Sequence, residues 1–119
     1  MKIVLGMPAF NEGEKIEGII NEIKNLVDDI IVCNDGSTDS TGIIAQKMGA
    51  IVINHKKNLG YGSAINSIFS KAREMEADIL ITFDSDGQHR SKDIQSVIQP
   101  IINGEADIVI GSRFLENEI

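Results

Sequence analysis

The sequence predicts an α/β fold, with a doubly wound, mainly parallel sheet of about five strands and helices on both faces. Three observations lead there. The runs "KIVLGM" (2–7), "DDIIVCN" (28–34), "AIVIN" (50–54), "DILITF" (78–83) and "DIVIG" (107–111) are nearly continuous in apolar, mostly β-branched residues. Such runs suit strands covered on both faces. Segments of helical periodicity separate them, and this alternation implies parallel strands joined by right-handed crossovers.

The first helical segment carries Ile16, Ile19, Ile20, Ile23, Leu26 and Val27 at three- and four-residue steps, one stripe of a helix. Asn11 is the candidate N-cap, with Glu12 and Glu14 in the electropositive first turn. The second helix spans about 40–48, with Gly49 placed to end it. The third begins near Gly62 and is expected to bury Ile65, Ile68, Phe69 and Ala72. The fourth is capped by Ser91 and carries Ile94, Val97, Ile98, Ile101 and Ile102. Pro100 should loosen its last turn by removing a backbone donor.

The chain has 119 residues, 42% hydrophobic and 24% charged, the composition of a folded globular domain. We read it as a single domain over 1–119 whose natural chain continues past Ile119. A net charge of −7 argues against a nucleic-acid partner, which needs clustered Lys and Arg. The single cysteine, Cys33, lies in an apolar run and reads as a buried thiol in a reducing compartment. No apolar stretch is long enough to span a bilayer. The N-terminus begins at once with a strand-like run, without signal-peptide character.

Ligands of doubly wound sheets bind outside the carboxyl ends of the strands, and all five ends here are polar or glycine-rich. "DSDGQH" (84–89) sets Asp84 and Asp86 on alternate residues, with Gln88 two further on. These oxygens can converge on Mg2+ or Mn2+, or they can form a solvated turn. In "NDGSTD" (34–39), Asp35 can accept N–H groups of a ligand, while Ser37 and Asp39 suit helix capping. "KKNLGYGSA" (56–64) offers Lys56 and Lys57 before a glycine turn, without the ending of a P-loop. Arg113, after the fifth run, can meet a phosphate or carboxylate, or be an ordinary surface arginine. His89 and His55 read as orienting or solvated side chains. No Ser/His/Asp or Cys/His set is recognisable, nor a CxxC pair or a GxGxxG turn.

Taken together, "PAFNE" (8–12), "NDGSTDST" (34–41), "NLGYGSA" (58–64), "DSDGQH" (84–89) and "GSR" (111–113) resemble, in order and spacing, the N-terminal part of family 2 glycosyltransferases. The resemblance is nearest to the dolichol- and polyprenyl-phosphate mannosyl- or glucosyltransferases. It implies the Rossmann-like, nucleotide-sugar half of a GT-A fold, with the acceptor half beyond this chain. By position, Pro8, Phe10 and Glu12 would line the base and ribose site and Asp35 would read the base. Lys57, Asp84, Ser85 and Arg113 would contact the donor. Asp84, Asp86 and Gln88 would hold a divalent cation, Mg2+ or Mn2+, with Asp86 and Arg113 serving catalysis. The implied reaction is inverting transfer from a UDP- or GDP-sugar to a polyprenyl or dolichyl phosphate. The implied setting is the cytoplasmic face of a membrane, with membrane attachment through parts outside this chain. Asn34 stands where an acidic residue is usual beside Asp35, and His89–Arg90 replaces the usual His-Pro.

Other classes fit less well. A nucleotidyltransferase is expected to carry a basic, glycine-rich loop after the first strand, and "GMPAFNEGE" holds no Lys or Arg. Receiver domains and phosphatases with a DxD nucleophile place their acidic pair after the first strand. A nucleotide- and metal-binding domain without transfer activity in isolation is the remaining alternative.

Overall fold

The computed structural model describes residues 2–83. Four strands, β1 (Ile3–Ala9), β2 (Asp29–Asp35), β3 (Ile51–His55) and β4 (Ile79–Thr82), alternate with three helices, α1 (Gly13–Ile23), α2 (Thr41–Lys47) and α3 (Tyr61–Glu74). The strands pair in parallel in the order β3-β2-β1-β4. The order therefore reverses at β1, and the carboxyl ends of β1 and β4 lie side by side. Leu5 sits opposite Ile30 on one side and Ile81 on the other, and Gly6 sits opposite Thr82. The expected fifth strand, the fourth helix and "DSDGQH" lie outside the described residues.

Each face of the sheet has its own core. On one, Leu5, Met7 and Ala9 of β1 join Ile30, Val32, Ile79 and Ile81, covered by Ile16, Ile19, Ile20 and Ile23 of α1 and by Ala45 of α2. On the other, Val4, Ile31, Cys33 and Leu80 pack under Ala64, Ile68 and Ala72 of α3. Successive strand residues point to opposite faces, so burial on both sides explains why the strand runs are apolar throughout rather than alternating.

Three expectations about the helices are corrected. Asn11 does not cap α1. It adopts a left-handed conformation (φ 53°), tolerated by Asn better than by most residues, and Glu12 takes the N-cap position. Leu26 and Val27 fall past the end of α1 and pack half-buried against its core. In α3 the buried stripe is Ala64, Ile68 and Ala72, while Ile65 is only partly buried and Phe69 is 38% exposed. The cause is a close approach. A methyl group at Gly6 would overlap Cγ2 of Ile68, so α3 lies almost on the β1 backbone and only small residues fit the seam beside Ile68. Gly49, with φ 92°, follows α2 as expected.

Candidate functional site

The carboxyl ends of β1, β2 and β3 are joined by side-chain hydrogen bonds between loops distant in sequence. The left-handed turn at Asn11 directs its backbone N–H to Ser37 Oγ (3.0 Å), and its Oδ1 accepts the N–H of Thr38 (2.8 Å). One residue on, Glu12 N donates to Thr41 Oγ1 (3.0 Å). Gly13 N donates to Asp39 Oδ2 (3.0 Å), while Asp39 Oδ1 accepts the N–H of Thr41 (3.0 Å) and a short bond from its hydroxyl. A single carboxylate thus satisfies first-turn donors of both α1 and α2, groups that have no partner within their own helices. The Thr41 hydroxyl above all, with the N–H groups of Thr41 and Gly13, holds the Asp39 carboxyl below its usual range against the opposing effect of desolvation. The N-cap position of α2 is taken by Ser40, and the expected capper Asp39 meets the Thr41 N–H from one residue before it. Ser37 instead serves the β1 loop.

Asp35, at the end of β2, is 4% exposed. Its Oδ1 accepts the N–H of Leu59 (2.9 Å) and its Oδ2 that of Gly60 (3.0 Å). Desolvation raises the Asp35 pKa, but these two amides and His55 outweigh it, and the net shift is downward. The loop after β3 is therefore fastened to the end of β2. Gly36 (φ 75°) completes the junction, since a side chain there would overlap the backbone of Lys57 and Asn58.

His55 is the residue that sequence reasoning undervalued. It faces Asp35 in the β2–β3 register, with Nδ1 2.8 Å from Asp35 Oδ1 and Nε2 2.8 Å from Ser67 Oγ. The expected absence of a Ser/His/Asp set is corrected, because Asp35, His55 and Ser67 form one hydrogen-bonded chain. The strand runs of β2 and β3 align with a constant offset of 20 residues (Ile31↔Ile51), which brings position 55 opposite position 35. Ser67 lies inside α3, where backbone N–H groups are committed to the helix and cannot form an oxyanion hole. The chain of bonds thus orients Asp35 rather than activating a nucleophile. Cys33 Sγ is 3.6 Å from His55 Nε2; burial, and then the Asp35 charge, push its thiol up to about 11.

Of the other expected site residues, Pro8 is half-buried near the end of β1, Phe10 is 46% exposed in the following loop, and Lys57 is exposed beside Gly36. Asp84, Ser85, Asp86, Gln88 and Arg113 lie outside the described residues. β4 delivers the chain to them: Phe83 N donates to Gly6 O (2.9 Å) beside β1, one residue before Asp84. Thr82 Oγ1 is a buried oxygen without a partner among the described residues. No group of three His, Cys, Asp or Glu side chains able to hold a metal occurs among the described residues. No described helix is long and apolar enough to cross a membrane.

Comparison with known proteins agrees with this geometry. A family model described as glycosyl transferase family 2 matches residues 5–118. The chain is 40% identical over 129 aligned residues to UDP-N-acetylglucosamine–dolichyl-phosphate N-acetylglucosaminyltransferase of Methanococcus voltae, covering 93% of this chain and 51% of that protein. It is 33% identical to dolichol-phosphate mannosyltransferase of Pyrococcus furiosus, covering 98% of this chain and 34% of that one. Among solved structures, glucosyl-3-phosphoglycerate synthase of Mycobacterium tuberculosis, in complex with Mn2+, UDP and glucosyl-3-phosphoglycerate, superposes with a TM-score of 0.72. It is 30% identical and covers 87% of this chain and 40% of that one. The chain spans about half the length, or less, of these curated relatives.

Proposed function

The chain belongs to glycosyl transferase family 2, and we propose that it is the donor-binding domain of an inverting enzyme that moves a sugar from a UDP- or GDP-sugar to a polyprenyl or dolichyl phosphate. The observation that carries this reading is the strand order. With β1 between β2 and β4, the segment Pro8–Glu12 at the end of β1, Asp35 at the end of β2 and the chain leading to Asp84 meet at one carboxyl edge, where doubly wound folds bind nucleotides. The M. voltae relative, named for a UDP-sugar and a dolichyl-phosphate acceptor, supports the substrate classes.

In this reading Pro8, Phe10 and Glu12 border the base and ribose, and Asp35 reads the base. Lys57, Ser85 and Arg113 meet the donor. Asp84, Asp86 and Gln88 hold the cation. Their donor atoms are all oxygen, which fits Mg2+ or Mn2+, and the solved relative bound to Mn2+ and UDP supports a cation in the family. When bound, the cation offsets the charge that develops on the departing diphosphate. A phosphate oxygen of the acceptor attacks the anomeric carbon as the bond to the nucleoside diphosphate breaks on the opposite face. An acceptor phosphate is already anionic near neutral pH, so no base need remove a proton. The enzyme would act at the cytoplasmic face of a membrane, attached through parts outside this chain.

Calorimetric titration with UDP, GDP and ADP, with and without Mn2+, tests the reading. A Mn2+-dependent preference for UDP or GDP that is lost in Asp86→Ala is expected. Equal indifference to all three nucleotides would falsify it.

A further inference from the structure

We propose that His55 and Ser67 limit Asp35 to a single free acceptor position and so select uracil over guanine in the donor nucleotide. This rests on the reading of Asp35 as the residue that meets the base.

An ionised carboxylate offers about four acceptor positions, two on each oxygen. At Asp35 Oδ1 both are used, by Leu59 N (2.9 Å) and by His55 Nδ1 (2.8 Å). At Oδ2 one is used, by Gly60 N (3.0 Å). The Asp35 side chain is 6% exposed and that of His55 10%, and among the described residues one acceptor position, on Oδ2, is left for a ligand rather than a pair.

The imidazole is held in place. A carboxylate can only accept, so Nδ1 carries the proton facing Asp35, and in the neutral ring Nε2 then accepts from Ser67 Oγ at 2.8 Å. Packing against Cys33 Sγ restricts the ring further. Asp35 thereby fixes which nitrogen donates, and the Ser67 hydroxyl, which can donate to or accept from the other nitrogen, helps keep the ring on Oδ1.

The two bases differ on the edge they would present. Uracil carries one N–H, at N3, between two carbonyls. Guanine carries N–H groups at N1 and N2 side by side, a pair that matches two adjacent carboxylate oxygens. With Oδ1 filled, the second guanine donor would enter a buried site without an acceptor, whereas the single uracil donor is satisfied. An unpaired donor of that kind weakens binding by roughly tenfold or more.

The test is calorimetric binding of UDP and GDP to the full chain with Mn2+ present. The expected result is UDP bound roughly tenfold or more tightly than GDP. His55→Phe, which fills the ring space but frees Oδ1, should bring the two affinities toward equality. His55→Gln, which restores an N–H donor, should restore the preference. Ser67→Ala should narrow the ratio less, and because it removes one oxygen it carries the comparison if His55→Phe does not fold. A merely structural role for His55 would weaken both nucleotides by the same factor; an unchanged ratio, or a wild-type preference for GDP, overturns the proposal. Asp35→Asn separates the premise from the inference. If it leaves UDP affinity intact, or if the chain binds neither nucleotide, the base-reading role itself falls. If it weakens UDP while His55→Phe leaves the ratio unchanged, only the selection by His55 and Ser67 falls.

Discussion

Asp39 Oδ2 accepts the backbone N–H of Gly13 at 3.0 Å across 26 residues of sequence, while its other oxygen accepts that of Thr41. The loop after β2 therefore supplies the side-chain cap of α1, whose own N-cap residue Glu12 makes no side-chain capping bond. Asp39→Ala should lower the melting temperature by a few degrees, on the order expected for loss of an N-cap in a small domain. Asp39→Asn should recover part of that loss. Circular-dichroism melts of the three proteins check it, and a melting temperature unchanged by Asp39→Ala would refute it.

Gly6 lies beneath Ile68, and a methyl group there would overlap Cγ2 of that side chain. Both positions are buried, so the overlap cannot be relieved by swinging a side chain into solvent. Gly6→Ala should cost about 1–3 kcal/mol, as overpacking of cores usually does. Ile68→Ala removes the opposing Cγ2 but leaves a cavity. The double variant should therefore be more stable than the sum of the two single losses predicts. Urea denaturation of the four proteins gives the coupling, and strict additivity would contradict the proposed contact.

These two relationships show where sequence reasoning reached and where it stopped. The strand runs and the doubly wound class are legible because burial on both faces forces apolar residues at every strand position. The α3 seam is not. Helical periodicity marks Ile65 and Phe69 as readily as Ala64 and Ala72, and only the approach of α3 to Gly6 decides between them. The polar junctions behave the same way. Asp35 stood out because it ends an apolar run. His55 gained its meaning from strand register, and Ser67 from the docking of a helix whose distance no local pattern encodes.

The amides of Leu59 and Gly60, with His55, lower the Asp35 carboxyl pKa in the folded state despite desolvation, and the Thr41 hydroxyl foremost lowers that of Asp39. In the window between the depressed folded values and the unfolded carboxyl value near 3.9, the unfolded chain binds more protons, so stability rises with pH. The contribution is complete above about pH 4 and is lost as pH falls through the folded values. Asp35→Asn should flatten this acid limb. Chemical denaturation at successive pH values reads the slope, and an acid limb equally steep in Asp35→Asn would exclude Asp35 as its source.

The Cys33 thiol is fully buried, and its pKa is raised to about 11. Since the thiolate is the reactive form, the native protein should resist dithionitrobenzoate at pH 8 and react fully in denaturant. His55 lies near the sulfur, but Asp35 holds its Nδ1 proton. Loosening that bond should make the thiol accessible before the protein unfolds. Asp35→Asn should therefore label roughly tenfold faster than wild type, on the scale of a lost hydrogen bond of about 1.4 kcal/mol. Equal labelling rates under native conditions would mean that the Asp35 junction does not guard the β2–β3 edge.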